Sequence, residues 1–250
     1  MNPDPWRVLR QYTQARIGLG RAGHAVPTGE WLAFQEAHAE ARDAIWVPWK
    51  VDEFSLKLEA EGLSSVIVHS AAPDRPTYLR RPDLGRRLAE GTTLSGPGVD
   101  VALIASNGLS SAAIETHGVA LLAALDRGLR KRGFSVSPVV LVDHGRVGLS
   151  DPIGAALQAK LSVMVIGERP GLTSADSLGI YLTFGPGVGR TDADRNCLSN
   201  VRPPEGLDYG IAAAKTIYLA ENAMRRQLSG VALKDDMPDG RLSDSDRQLS

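Results

Sequence analysis

From residue 64 onward the chain alternates two textures. Short apolar, mostly β-branched runs at Ser65–His69, Val99–Ala105, Val136–Val142 and Leu161–Ile166 lack the apolar–polar alternation of a half-exposed strand. Such runs suit strands covered on both faces of a parallel sheet. Segments of helical period separate them. Ser110 stands where it can cap a helix carrying Ile114, Leu121, Leu122, Leu125 and Leu129 on one side, and Gly133 follows its basic last turn. Ser150, followed by Asp151 and Pro152, opens a shorter helix with Ile153 and Leu157. The order β-α-β-α-β over residues 99–167 predicts an α/β fold with a doubly wound, mostly parallel, Rossmann-like sheet.

Residues 178–184 read as one more strand, Gly185–Gly189 as an irregular link, and residues 207–228 as a last helix with Ile211, Ala214, Ile217 and Tyr218 inward. The first 50 residues read as helical. Thr28 can cap a segment whose stripe runs Trp31, Phe34, His38, Ala41, Ile45. The expected organisation is an N-terminal helical region over 1–60, an α/β domain over 61–233, and a disordered tail over 234–250. Five Asp among the last 16 residues, with few apolar ones, set that last expectation.

A chain of 250 residues allows one large domain with a real buried core. Lys and Arg number 28 against 29 Asp and Glu, which removes the basic excess expected of a nucleic-acid protein. The Arg-rich stretch Arg75, Arg80, Arg81, Arg86, Arg87 is interleaved with Asp74 and Asp83, so ion pairs or a protein contact explain it better than a nucleic-acid patch. No apolar stretch approaches the roughly 18 residues that cross a bilayer. Residues 1–5 lack the pattern of a signal peptide, and a single cysteine, Cys197, excludes an internal disulfide. These features point to the cytoplasm.

Gly18-Leu19-Gly20-Arg21-Ala22-Gly23 matches the dinucleotide pattern by letters, but a charged, helix-like segment precedes it where a strand is required. The βα turn Ser106-Asn107-Gly108-Leu109 holds one glycine, so a Rossmann-like nucleotide-dependent oxidoreductase or transferase is the weaker alternative. The five histidines show no metal-ligand spacing, Glu36, Glu40 and Asp43 read as a solvated helix face, and no metal site is expected. The informative block is Gly167-Glu168-Arg169-Pro170-Gly171, just past a strand's carboxyl end, where ligands bind in open α/β sheets. Gly145-Arg146-Val147 lies beyond the end of strand 136–142, on the same rim. Glu168 must be hydrogen-bonded there, either to Arg169 or another Arg, or to a ligand's donors.

Several segments together carry a family resemblance. They are Thr13–Gly23, Tyr78–Arg86, Gly167–Leu172, Asp176–Gly179 and Asp192–Asn200. Collinear over roughly residues 6–234, they resemble the small subunit of ethanolamine ammonia-lyase. The resemblance implies a partner, a large catalytic subunit with a TIM-barrel fold that binds ethanolamine, in a hetero-oligomer. It implies adenosylcobalamin between the two subunits, and radical conversion of ethanolamine to acetaldehyde and ammonia. This chain would supply one side of the cobalamin site and no catalytic residue. The family's cofactor contacts fall here on Val147, Glu168 and Cys197. A corrin rimmed with neutral amides and methyl groups suits a carboxylate acceptor beside apolar contacts. Some relatives have an extra N-terminal segment linked to bacterial microcompartments. The family pattern begins here within the first ten residues, so free cytosol is the expected location and a microcompartment the second.

Overall fold

Six strands form one sheet: β1 (Ser65–His69), β2 (Val101–Ser106), β3 (Val139–Asp143), β4 (Leu161–Gly167), β5 (Leu178–Phe184) and β6 (Arg195–Val201). Their spatial order is β1-β3-β2-β4-β5-β6. The computed structural model describes residues 5–238. β1, β3, β2 and β4 pair in parallel, while β5 runs antiparallel to both β4 and β6, so the sheet is mixed and mostly parallel. Every residue of β2 and β4 is buried, which is why their sequences do not alternate. Each of the five expected strands is present within three residues at either end.

β6 has no counterpart in the hydrophobic pattern. Its sequence, Arg-Asn-Cys-Leu-Ser-Asn-Val, begins on a buried arginine and offers few apolar side chains.

Six helices accompany the strands: α1 (Thr28–Trp46), α2 (Val51–Ala60), α3 (Arg75–Arg80), α4 (Ser111–Lys131), α5 (Ser150–Ala156) and α6 (Tyr209–Arg226). Ser110 caps α4 by accepting from the Ala113 N–H at 3.2 Å, and Asp208 caps α6 through the Gly210 and Ile211 N–H groups. Two expected caps are corrected. Pro27 occupies the N-cap of α1 without a side-chain bond, leaving Thr28 inside the helix. Leu149 precedes α5, because the 3-10 turn Val147–Leu149 runs straight into it. The stripe of α1 is corrected as well. Its buried face is Ala37, Ala41 and Ala44, small side chains that sit against α4, whereas Trp31 and His38 are exposed.

Alternate side chains of the sheet feed two apolar layers. Val101, Leu103 and Ala105 meet Phe54 and Leu58 of α2 together with α4 and α6. Ala102, Ile104, Val142 and Met164 meet Ile153 and Leu157 beyond the other face. The chain therefore leaves β2 through α4 on one face and returns from β3 to β4 through α5 on the other. The carboxyl ends of β2, β3 and β4 open side by side as a result.

The Gly18–Gly23 segment follows the 3-10 helix Pro5–Tyr12, not a strand. Gly18 has φ of 59°, and an added Cβ would lie 2.7 Å from the Arg7 nitrogen, so a tight fold-back accounts for that glycine. Of the stretch expected to form the tail, residues 239–250 lie outside the described residues. Asp235 and Asp236 bond back to Lys215 and Tyr218 of α6. Among the described residues no helix is long and apolar enough to cross a membrane.

Candidate functional site

The loop after β3 is fixed by short polar contacts. Asn107 donates from Nδ2 to Asp143 at 2.7 Å and accepts the His144 N–H at 2.9 Å. Ser106 Oγ accepts the Gly145 N–H at 3.1 Å, the Tyr78 hydroxyl donates to the Gly145 carbonyl at 3.1 Å, and the Arg146 N–H reaches the Gly85 carbonyl at 2.7 Å. These bonds hold His144 at φ of 56°, in the left-handed region that non-glycine residues seldom occupy. They also deliver Val147, half-buried, to the rim. Burial pushes the His144 imidazole below its ordinary pKa despite the Asp143 carboxylate beside it.

Glu168 leaves the end of β4 and is gripped by the β5–β6 hairpin. Ser177 Oγ donates to its Oε2 at 2.8 Å, Ser199 Oγ to its Oε1 at 2.5 Å, and the Asn200 N–H to its Oε2 at 3.1 Å. Among the described residues no arginine pairs with it, so of the two alternatives the arginine partner is absent, and two hydroxyls and a backbone amide hold the carboxylate. A β-bulge makes this possible. Leu178 pairs with Val201 and Ile180 with Leu198, so Gly179 alone opposes both Ser199 and Asn200. Gly179 has to be bare: an added Cβ would sit 3.0 Å from Glu168 Oε1 and 3.1 Å from the Tyr181 ring.

Val147 and Glu168 line one cavity of about 450 Å³, together with Tyr78, Leu109, Arg146 and Tyr181. Cys197 stands beside this cavity, not in its wall. It pairs with Tyr181 across the β5–β6 ladder and shares a strand face with Ser199, which does line the cavity. Cys197 is exposed as a residue, yet shielding of its sulfur pushes the thiol above its ordinary pKa. Hydrogen bonding from Tyr181 opposes that rise and the Glu168 charge adds to it. The Tyr181 hydroxyl is raised in turn by burial, then by Cys197 and Glu168. Tyr78, Arg146, Tyr181 and Ser199 were not singled out by sequence reasoning as site residues. Arg146 was the one with a signal, standing next to Val147 in the rim motif.

The wall is mixed: Leu109, Ile166 and Val147 give apolar contact, Glu168 an acceptor and Arg146 a donor. Among the described residues no three His, Cys, Asp or Glu side chains gather as a metal site.

Residues 3–234 match the family described as Ethanolamine ammonia-lyase light chain (EutC). The chain is 50% identical over 240 residues to an ethanolamine ammonia-lyase small subunit of Ralstonia nicotianae, covering 93% of this chain and 88% of that one. The small subunit of Azotobacter vinelandii is 51% identical over 247 residues, covering 96% and 91%. That of Pseudomonas fluorescens strain SBW25 is 48% identical over 256 residues, covering 99% and 92%. Identity at this level, carried over nearly the full length of both partners, means that the chain belongs to the ethanolamine ammonia-lyase small-subunit family.

Proposed function

We propose that this chain is the small subunit of an adenosylcobalamin-dependent lyase that converts ethanolamine to acetaldehyde and ammonia. In this reading the rim carrying Val147 and Glu168, with Cys197 beside it, covers one side of the cofactor. A large catalytic subunit of TIM-barrel fold holds ethanolamine. The supporting observation is that Val147 and Glu168, 21 positions apart, line one cavity beyond the carboxyl ends of β3 and β4, which flank β2. The sheet is read as doubly wound, since α4 and α5 join the apolar layers of opposite faces, and ligands of such sheets bind beyond the strand ends.

The residues fit the group. A cavity of about 450 Å³ has the size of one small-molecule subsite and is smaller than a corrinoid, so it takes an edge of the ring system. Corrin side-chain amides donate N–H groups, and Glu168 offers a carboxylate whose position three internal donors already fix. Val147, Leu109 and Ile166 suit the apolar periphery. When bound, adenosylcobalamin supplies a 5′-deoxyadenosyl radical through homolysis of its Co–C bond. The chain's own residues bind and orient. Glu168 accepts, Val147 excludes water from the ring edge, and the high thiol pKa of Cys197 keeps a neutral group beside the site.

The test is reconstitution. The full chain, its large subunit and adenosylcobalamin, mixed with ethanolamine, are expected to release ammonia. Folded subunits that associate and release none overturn the reading.

A further inference from the structure

Glu168 is held by three neutral donors, and two guanidiniums share the cavity with it. Arg146 and Arg169 both line it, and neither forms an ion pair among the described residues. Arg146 is the more constrained. Its Cζ lies 4.2 Å from the Tyr78 ring centroid, its Nη2 donates to the Tyr78 carbonyl at 3.2 Å, and its Nε is buried with no partner. Arg75 stands 5.1 Å from the same ring and bonds only carbonyls, those of Ile45 and Gly108, leaving its own buried Nη2 without a partner. Two guanidiniums thus share one phenol ring with no acid bonded to either. A half-buried guanidinium with idle donors carries a desolvation cost that an arriving anion offsets. The planar fork of arginine matches a phosphate in particular.

We infer that Arg146 and Arg169 form an anion subsite at the edge of the cavity, and that it takes the phosphodiester of the cofactor's nucleotide tail. This inference rests on the cobalamin reading above. Within that ligand class the corrin periphery is neutral amide, and the phosphodiester is its fixed negative group. Tyr78 acts as the platform that holds Arg146 at a set angle, and exposed Arg169 lines the same cavity.

The experiment compares two corrinoids on the full chain assembled with its large subunit. Cyanocobalamin carries the phosphodiester; dicyanocobinamide lacks the nucleotide tail. Binding is read by equilibrium dialysis for the wild type, Arg146→Met and Arg169→Met. Each variant is expected to weaken cyanocobalamin by about tenfold or more, as for a lost charge-assisted hydrogen bond, and to leave dicyanocobinamide within about twofold. Inorganic phosphate is expected to compete with cyanocobalamin alone in the wild type. Equal loss for both corrinoids, or loss for neither, overturns the subsite. So does weaker subunit association at unchanged corrinoid affinity, which assigns the guanidiniums to a carboxylate of the large subunit. Arg169 is exposed, so its variant keeps the test open should Arg146→Met fail to fold. A wild-type complex that binds neither corrinoid sinks the cobalamin reading and the subsite with it.

Discussion

Two carboxylates terminate on β6, and the chain treats them in opposite ways. Asp151, on α5, meets Arg195 at the start of the strand in a two-pronged pair, Oδ2 to Nη2 at 2.6 Å and Oδ1 to Nη1 at 3.0 Å, with side chains 9% and 4% exposed. Thr183 accepts a further bond from Nη1 at 3.0 Å. Burial alone lowers the Arg195 pKa, but the Asp151 hydrogen bond and charge outweigh it and raise it. Glu168 reaches the other end of β6, where neutral hydroxyls and one amide hold it. The first carboxylate is neutralised in place and anchors the strand. The second is equally well oriented, yet no cation pairs with it among the described residues. Fixing a carboxylate with dipoles instead of a cation is the arrangement on which the proposed ligand contact depends.

The largest expected effect attacks the anchor. Arg195→Met strands a buried Asp151 charge and should cost about 3–5 kcal/mol of stability by urea denaturation. Adding Asp151→Asn to that variant should recover much of the loss, because the pair is then removed whole. A cost below about 1 kcal/mol for the single variant would mean that Arg195 is dispensable to the strand. Glu168→Ala should behave in the reverse sense. Folding stability changes little at this half-buried position, while cobalamin affinity of the assembled complex falls by about 1–3 kcal/mol in equilibrium dialysis. Unchanged affinity would reduce Glu168 to a clasp for the hairpin. The smallest effect reads the charge itself. Glu168 helps to raise the Cys197 thiol, so Glu168→Gln should lower that pKa and speed alkylation of Cys197 by iodoacetamide at a fixed pH near 8. In the wild type the folded thiol ionises at higher pH than an unfolded one. Its contribution to stability is therefore complete below the unfolded pKa and fades as pH rises through the folded one. A slower reaction in the variant contradicts the assignment of charge to Glu168.

How far the sequence foretold this contrast varied with the element. β1 to β5 were legible because their apolar runs are continuous, which follows from coverage on both faces or on one face and an edge strand. β6 was not, since its buried positions are Arg195 and Val201, one at each end with a bulge between them, and the first is charged. Val147 and Glu168 could be set on one rim because each follows the end of a predicted parallel strand. The partners of Glu168 could not, since Ser177, Ser199 and Asn200 reach it from a hairpin whose second strand was invisible. The stripe of α1 misleads because bulk is no sign of burial there: its buried positions are three alanines. Cys197 entered through family resemblance alone, because a lone cysteine has no pattern of its own.

The extra residue at Ser199–Asn200 also governs how this protein can change over time. Side chains on a strand alternate between two sides and the bulge absorbs one step of that alternation, so deleting one position there would leave Arg195–Leu198 in register with β5 and close a regular ladder over Gly179. Arg195 would keep Asp151, but Glu168 would lose the Ser199 hydroxyl or the Asn200 amide that the bulge presents to it. Substitutions along this edge can be sampled one at a time, but losing the extra residue removes a whole point of support for the carboxylate in one event. In lineages that vary freely elsewhere, the length of this segment should be the character that drifts least.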